Sequence, residues 1–246
     1  MVAWKTMKHT FGIITPIWQR PKLTRLMLDH TAEHSGPSRL IGVQSPEDDP
    51  IKADYWRFIT VPNSPLSDKH NAGAEYLRRW YVDAVLLLPS DDFLSPAYFE
   101  AMSKALDDGY DSAVLKSFYF YCLQTGRLLR GSHLGIGAGF MFSRALMDRL
   151  DWQPWPHGTD KSMDANMFAH CRKHIGNQLI IESTEDYGFV GVDCKGRTTR
   201  NGFQHLWDNL GHKERIEDPA AVRVFWETHF PNLADRMLHD REDLAQ

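Results

Sequence analysis

The sequence predicts an α/β fold, with a mostly parallel central sheet flanked by helices in a single domain. In the first half of the chain, short β-rich runs alternate with segments of helical spacing, which is typical of a parallel sheet. A second observation is the pair Asp91-Asp92, which follows a buried apolar run and precedes a helix start. The length of 246 residues, 42% of them hydrophobic, suits one large domain. In such sheets ligands bind at the carboxyl ends of the strands, where this pair is expected.

Four strands are predicted in the first half, each a short apolar run closed by a proline or a polar turn. They cover residues 11–15, 39–43, 58–61 and 83–87. One helix follows the first strand, because Leu23, Leu26, Met27 and His30 recur at helical spacing. A second helix is expected from Ser67 or Asp68 through Trp80, and a third begins with Ser95 as N-cap and Pro96 as first residue.

The second half is less regular. Its predicted elements are a strand over 113–121, a helix over 143–150 after residues 140–142, a loop over 151–157, a helix over 162–173, a polar mobile loop over 184–204 and a helical tail from 218. Tyr119 and Tyr121 are expected to pack in the core, and Trp152 and Trp155 to be exposed, because they lie in a proline-rich loop.

The composition excludes several classes of protein. A net charge of -4 gives no general attraction to nucleic acid or to anionic membranes. The three cysteines lie far apart and predict free thiols in a reducing compartment. No apolar stretch approaches the length of a membrane span or a signal peptide. We therefore expect a cytoplasmic protein without integral membrane association.

Four segments in fixed order carry a resemblance to a known family. They are Thr15–Leu23 (TPIWQRPKL), Asp68–Gly73 (DKHNAG), Ser90–Asp92 (SDD) and Gly137–Arg144 (GAGFMFSR). Together they resemble the motifs of GT-A glycosyltransferases, in particular the family 2-like group. Two positions depart from the family pattern: Gln19 replaces the usual Asn, and Ser90 replaces the first acidic residue of the Asp-x-Asp-like motif.

The resemblance implies a metal-dependent, inverting hexosyltransferase that moves a sugar from a nucleotide diphosphate, with UDP favoured, to an acceptor hydroxyl. Residues 10–110 would then bind the nucleotide sugar, and residues 111–217 would form the acceptor half. Residues 218–246 would form a helical tail of the same domain. The sequence does not choose between a saccharide and a modified DNA base as acceptor, and it predicts no particular oligomeric state.

The implied cofactor is Mn²⁺ or Mg²⁺, because hard cations take oxygen ligands and bridge to phosphates. Asp92 is the expected metal carboxylate, while Asp91 would hydrogen-bond the ribose or uracil or hold the metal indirectly. GT-A enzymes often use a late histidine as a further ligand, and His205 occupies a matching position. An imidazole ligand would favour Mn²⁺.

The resemblance also places a general base at a helix start after the glycine-rich segment. Asp160 and Asp164 lie four residues apart there and would share one helix face. Asp164 is the preferred base. The alternative is that these residues cap the helix or interact with its dipole.

The remaining predicted site residues belong to the nucleotide-sugar donor. Thr15, Pro16 and Arg20 follow the first strand, and Glu47 or Asp48 is expected near the base or ribose. The others are Lys69, Asn71, Gly139 as a close backbone approach to the sugar, and Lys195, Arg197 and Arg200 in a loop that could close over the diphosphate.

Three other functions stay open. A phage-type DNA glycosyltransferase would use the basic loop with Trp152 and Trp155 to hold DNA around a hydroxymethylated base. A nucleotidyltransferase ranks lower, because Pro16 follows the first strand where that class has a glycine-rich loop. A non-catalytic sugar- or nucleotide-binding module is permitted by Ser90.

Overall fold

The computed structural model describes residues 7–132, 137–181, 191–195, 202–209 and 213–245, and within these ranges it leaves out the side chains of Ser132, Asn209 and Lys213. In these ranges the chain forms two β-sheets with helices packed against them.

The first sheet has seven strands and is mostly parallel, as predicted. In chain order its strands are β1 (Phe11–Pro16), β2 (Arg39–Gln44), β3 (Trp56–Thr60), β4 (Ala84–Leu87), β6 (Ser112–Leu115), β9 (Met141–Ser143) and β10 (Gln178–Ile181). Their spatial order is β10-β6-β9-β4-β1-β2-β3. Only β9 runs antiparallel to its neighbours, so the carboxyl ends of β1, β2, β3 and β4 meet at one edge.

A second sheet of five strands was not predicted. Its strands are β5 (Asp92–Leu94), β7 (Ser117–Cys122), β8 (Leu128–Ser132), β11 (Gly191–Lys195) and β12 (Lys213–Ile216), in the order β12-β8-β7-β11-β5. β11 runs parallel to β7 and antiparallel to β5. Four residues separate the end of β4 from the start of β5, so the Asp91-Asp92 pair lies where the chain passes from one sheet to the other.

The helices surround both sheets. They are α1 (Pro21–His34), α2 (Leu66–Arg78), α3 (Pro96–Asp107), α4 (Arg144–Arg149), α5 (Met163–Cys171), α6 (Phe203–Asn209), α7 (Pro219–His229), α8 (Ala234–His239) and α9 (Arg241–Leu244). α3 begins as predicted, with Ser95 as N-cap and Pro96 as first residue. Within the described residues, no helix combines the length and the apolar character needed to cross a bilayer.

Two predictions of secondary structure were wrong. The strand over 113–121 is two strands, β6 and β7, which join different sheets on either side of Lys116. A continuously buried apolar run carries no alternation that could reveal this change of sheet. The predicted loop over 184–204 contains the strand β11. Asp193 and Lys195 on this strand form an ion pair, and their paired charges allow a segment of polar composition to join the sheet.

The two tryptophans predicted to be exposed are buried. Trp152 has no exposed surface and its indole nitrogen donates to the Asp148 carboxylate at 2.9 Å. Trp155, with 1% of its surface exposed, packs edge-on against His70 at a centroid distance of 4.6 Å. Proline-rich neighbours correctly predicted the loop, but this loop folds back over the core.

The larger hydrophobic cluster joins both sheets to the C-terminal helices. As predicted, Tyr119 and Tyr121 are buried in it. The Tyr121 hydroxyl donates to the Met237 carbonyl oxygen on α8 at 2.7 Å, and the Tyr121 ring contacts Trp226 on α7 at 5.1 Å. The C-terminal helices are therefore part of the same packed core.

This contact yields a test of the tail packing. Tyr121→Phe keeps the ring but leaves the buried Met237 carbonyl without its donor, so we expect a loss of about 1–3 kcal/mol in the free energy of unfolding. Tyr55→Phe is the control, because Tyr55 is 88% exposed. Urea denaturation of both variants measures the difference. Equal stability of Tyr121→Phe and the wild type would show that the tail is not held by this contact.

Candidate active site

A cleft of about 720 Å³ opens at the carboxyl ends of the parallel strands. Its lining includes six predicted site residues, which are Pro16, Arg20, Lys69, Asp91, Asp160 and Asp164. Ser90 also borders the cleft, as do Trp18 and His70, which were not predicted. Segments that are widely separated in the sequence therefore meet at the edge where ligands bind in open α/β sheets.

Three carboxylates cluster beside this cleft. Asp91, Asp92 and Asp193 each contribute an oxygen, and these oxygens all lie within 4.8 Å of one another. Asp91 ends the turn after β4, and Asp92 begins β5. Asp193 lies on β11 directly opposite Asp92 in the antiparallel pair. The pairing of β5 with β11 thus brings Asp193 to the predicted Asp91-Asp92 pair.

Two cations partly neutralise this carboxylate cluster. Arg20 donates to the Asp91 carboxylate at 2.5 Å and to the Cys194 carbonyl oxygen at 2.8 Å. Lys195 contacts the Asp193 carboxylate at 2.5 Å. Asp92 is the one carboxylate of the three without such a cation contact among the described residues, so the ionised cluster keeps one negative charge in excess.

Burial and mutual repulsion raise the pKa of the two inner carboxyls. For Asp92 the pKa is raised well above its usual value, mainly by burial and further by the charges of Asp193 and Asp91. Burial also raises the pKa of Asp193 to about 6, although Lys195 acts in the opposite direction. The cluster is therefore an environment that an additional positive charge would stabilise.

The carboxylate cluster fits a divalent cation. One oxygen of Asp92 and one of Asp193 are buried and have no hydrogen-bond partner among the described atoms. Carboxylate oxygens are the ligands that Mg²⁺ and Mn²⁺ prefer. Asp92 and Asp193 could hold such an ion together with Asp91. His205 is exposed on α6 and does not belong to this cluster, so its role as a ligand stays a prediction.

The two candidate bases have different surroundings. Asp164 lies in the first turn of α5, and its charge contributes to the raised pKa of Asp92. A Cβ at Gly137 would come within 2.3 Å of an Asp164 oxygen, so a larger residue there would displace the Asp164 carboxylate. Asp160 precedes α5, so the prediction that both residues share a helix face was wrong. The Asp160 carboxylate accepts from the Leu66 amide at 2.6 Å and from the Ser64 hydroxyl at 2.8 Å.

The predicted donor residues of α2 make internal contacts. Lys69 is fully buried, and its ammonium donates to three oxygens of the chain. The Asn71 side chain donates to the Trp155 carbonyl oxygen at 2.8 Å and accepts from the Trp155 amide at 3.1 Å. Asn71 therefore fixes the loop after α4, and a direct contact of either residue with a donor stays a prediction.

Other predicted donor residues lie around the strand ends. The Thr15 hydroxyl is buried without a hydrogen-bond partner among the described atoms. Asp48 and Arg20 line a smaller neighbouring pocket, whereas Glu47 is exposed. Gly139 has a φ of 75°, and its carbonyl accepts from the buried Tyr98 hydroxyl. Arg197 and Arg200 lie outside the described residues, and Lys195, predicted in the same loop, lies on β11.

Asp193 is the member of the carboxylate cluster that the sequence analysis missed. The alternation of Val192 and Cys194 with Asp193 and Lys195 has the period of a strand. Only the fold reveals that its acidic residue faces Asp92.

The burial of Trp152 and Trp155 also removes the aromatic part of the surface predicted to hold DNA.

Comparisons with known proteins agree with this architecture. No protein-family model and no curated protein match the sequence. Among solved structures, S. aureus TarS 1-349 in complex with UDP-GlcNAc superposes with a TM-score of 0.61 at 12% identity, covering 96% of this chain and 72% of that chain. A second structure of S. aureus TarS 1-349 gives a TM-score of 0.52 at 11% identity, with 96% and 71% covered. A structure of S. aureus TarS gives 0.56 at 10% identity, and the match covers 96% of this chain and 43% of that chain. The fold is therefore of the GT-A glycosyltransferase type that the sequence motifs imply.

Proposed function

We propose that this chain is a metal-dependent, inverting glycosyltransferase that uses a nucleotide diphosphate sugar, with UDP favoured, and an acceptor hydroxyl. The observation that carries the proposal is that Asp164 lines one cleft at the strand ends together with Asp91, which belongs to the carboxylate cluster. The TarS structure of the same fold holds UDP-GlcNAc, which supports a UDP-sugar as donor.

The donor end of the cleft would be organised by the carboxylate cluster. A divalent cation held by Asp92 and Asp193 would neutralise the charge that develops on the departing diphosphate. Arg20 orients Asp91 through its 2.5 Å contact and adds a positive charge at the cleft wall. Trp18 is 48% exposed at the same wall and offers an aromatic face to a base or sugar.

The acceptor end would be organised by Asp164. It lies in the first turn of α5, where the partial positive charge of the helix N-terminus attracts a carboxylate. An ionised Asp164 can take the proton of an acceptor hydroxyl as that oxygen attacks the anomeric carbon. The sugar–phosphate bond breaks in the same displacement, and the diphosphate leaves with the bonding electrons. One in-line displacement inverts the anomeric configuration.

The metal assignment is tested with Asp92→Asn. We expect Mn²⁺ binding, read by electron paramagnetic resonance, to weaken and UDP release from UDP-GlcNAc to fall strongly, because a neutral amide is a poor ligand for a hard cation. Asp108→Asn is the control, because Asp108 pairs with Lys104 on the exposed surface. Full activity of the wild type in EDTA would contradict metal dependence.

The same titration tests His205. Weaker Mn²⁺ binding by His205→Ala would support its predicted role as a ligand, and an unchanged titration would exclude it.

The base assignment is tested with Asp164→Asn. Transfer should slow by typically about 10²–10⁴-fold, while donor affinity stays nearly unchanged, because the base contacts the acceptor. Steady-state kinetics with an acceptor found by mass-spectrometric screening would measure both quantities. Asp160→Asn is the matched variant, and it should slow transfer much less and cost at most about 1 kcal/mol of stability, because the Asn oxygen can still accept from the Leu66 amide at the start of α2. If only Asp160→Asn abolished transfer, Asp160 would be the base.

The stereochemical outcome is a separate prediction. A single base and one displacement leave no covalent intermediate, so the product should carry the inverted anomeric configuration. Proton NMR of the first-formed product reads the anomeric coupling directly. Retention of configuration would refute the displacement mechanism while leaving the choice of donor intact.

A further inference from the structure

Lys69 lies in the interior of the protein, and its ammonium has no acidic hydrogen-bond partner among the described residues. Its side chain has 0% of its surface exposed. The described acceptors of its ammonium are all uncharged: the Ile17 carbonyl oxygen at 2.5 Å, the Ser45 hydroxyl at 2.8 Å and the Asn63 side-chain oxygen at 3.0 Å. Burying an ammonium is costly, and lysine is almost never fully buried unless it is paired. Because this burial lowers the stability of the fold, it indicates that the Lys69 ammonium has a functional role.

The three acceptors have one feature in common. Ile17, Ser45 and Asn63 each lie shortly after the carboxyl end of a parallel strand, β1, β2 and β3 respectively. Lys69 itself lies near the start of α2, whose first residue is Leu66. One ammonium therefore joins three neighbouring loops at the edge of the sheet where the cleft opens.

These loops carry the side chains that border the cleft. Ile17 immediately precedes Trp18, and Gln19 and Arg20 then adopt left-handed backbone conformations, with φ of 54° and 49°. Such conformations are costly for residues other than glycine, so neighbouring contacts must hold them. The bond from Lys69 to the Ile17 carbonyl is one such contact, and Arg20 in turn binds Asp91.

We infer that Lys69 is a positioning residue for donor binding, which fixes the loops after β1, β2 and β3 and supplies a positive charge behind the nucleotide site. This inference rests on the proposed function. It differs from the direct donor contact that the sequence suggested, because all three N–H groups of the ammonium are already used within the chain.

The charged groups around Lys69 leave its positive charge only partly compensated. Glu47 and Asp48, from the loop after β2, act on it at longer range than a hydrogen bond. His70 is the neighbouring residue on α2, and burial lowers its pKa to about 3, so it is neutral. Around the same cleft lie Arg20 and three carboxylates, those of Asp91, Asp160 and Asp164. These carboxylates repel an anionic diphosphate, so the positive charge of Lys69 would strengthen diphosphate binding in the cleft.

Protonation of Lys69 gives this role a distinctive pH dependence. Burial lowers the pKa of Lys69 to about 8, although Asp48 and Glu47 act in the opposite direction. An unfolded lysine has a pKa of about 10.4, so between these values the unfolded chain binds more protons and folding stability rises with pH. Donor affinity should fall as the pH rises through the folded pKa of about 8, because the positive charge is lost there. A residue with only a structural role would show the first effect without the second.

The experiment is isothermal titration calorimetry of UDP with Mg²⁺, from pH 7 to pH 9, on wild type, Lys69→Met and Lys69→Arg. We expect wild-type affinity to fall about fivefold across this range, because about nine tenths of Lys69 is protonated at pH 7 and about one tenth at pH 9. Lys69→Met should bind about tenfold more weakly at pH 7 and show little pH dependence. Lys69→Arg keeps its charge at both pH values, so it should bind more tightly than Lys69→Met and also lose the pH dependence. Lys173→Met, on the exposed surface, is the matched control and should behave as wild type.

Several outcomes would overturn the inference. Wild-type affinity and wild-type pH dependence in Lys69→Met would remove Lys69 from donor binding and leave the proposed function intact. If Lys69→Met fails to fold, an unchanged pH dependence in Lys69→Arg has the same meaning. Lack of UDP binding by the wild type at every pH would instead overturn the proposed donor, and this inference with it.

Discussion

The burial of like charges on two facing strands is the constraint around which the site is built. Asp92 on β5 lies directly opposite Asp193 on β11, and like charges in that arrangement repel. Lys195 and Arg20 offset the repulsion through Asp193 and Asp91. Removing one member of a buried ion pair leaves an uncompensated charge, which is strongly destabilising. The cluster can therefore persist only if all of these elements are assembled.

The same contacts connect the two sheets. Arg20 follows β1 of the seven-stranded sheet, and it binds both Asp91 and the Cys194 carbonyl of the five-stranded sheet. The cleft thus lies where the two sheets are joined, and Arg20 and Asp91 both line it. Substitutions in the cluster will affect stability and activity together, which is why metal binding and unfolding must be measured separately there.

Much of the first half could be predicted from sequence because prolines and polar turns close its strands. The structure places the predicted site residues Asp91 and Asp164 in one cleft, because strand ends and helix starts converge at the same edge of such a sheet. Asp193 was missed because the sequence of β11 is polar, and the Asp193 carboxylate becomes buried only when it pairs with Lys195. Trp155 was wrongly predicted to be exposed, because the composition of a loop does not show which part of the protein the loop packs against.

The position of β11 has a consequence for how the protein is made. This strand lies between β7 and β5, and both of those precede it in the chain. Until residues 191–195 emerge from the ribosome, β5 and β7 each present an unpaired backbone edge, and such edges promote association between chains. Contacts across so long a sequence separation also form slowly. The arrival of one late strand therefore pairs one open edge of each of these two strands and completes the carboxylate cluster in the same event.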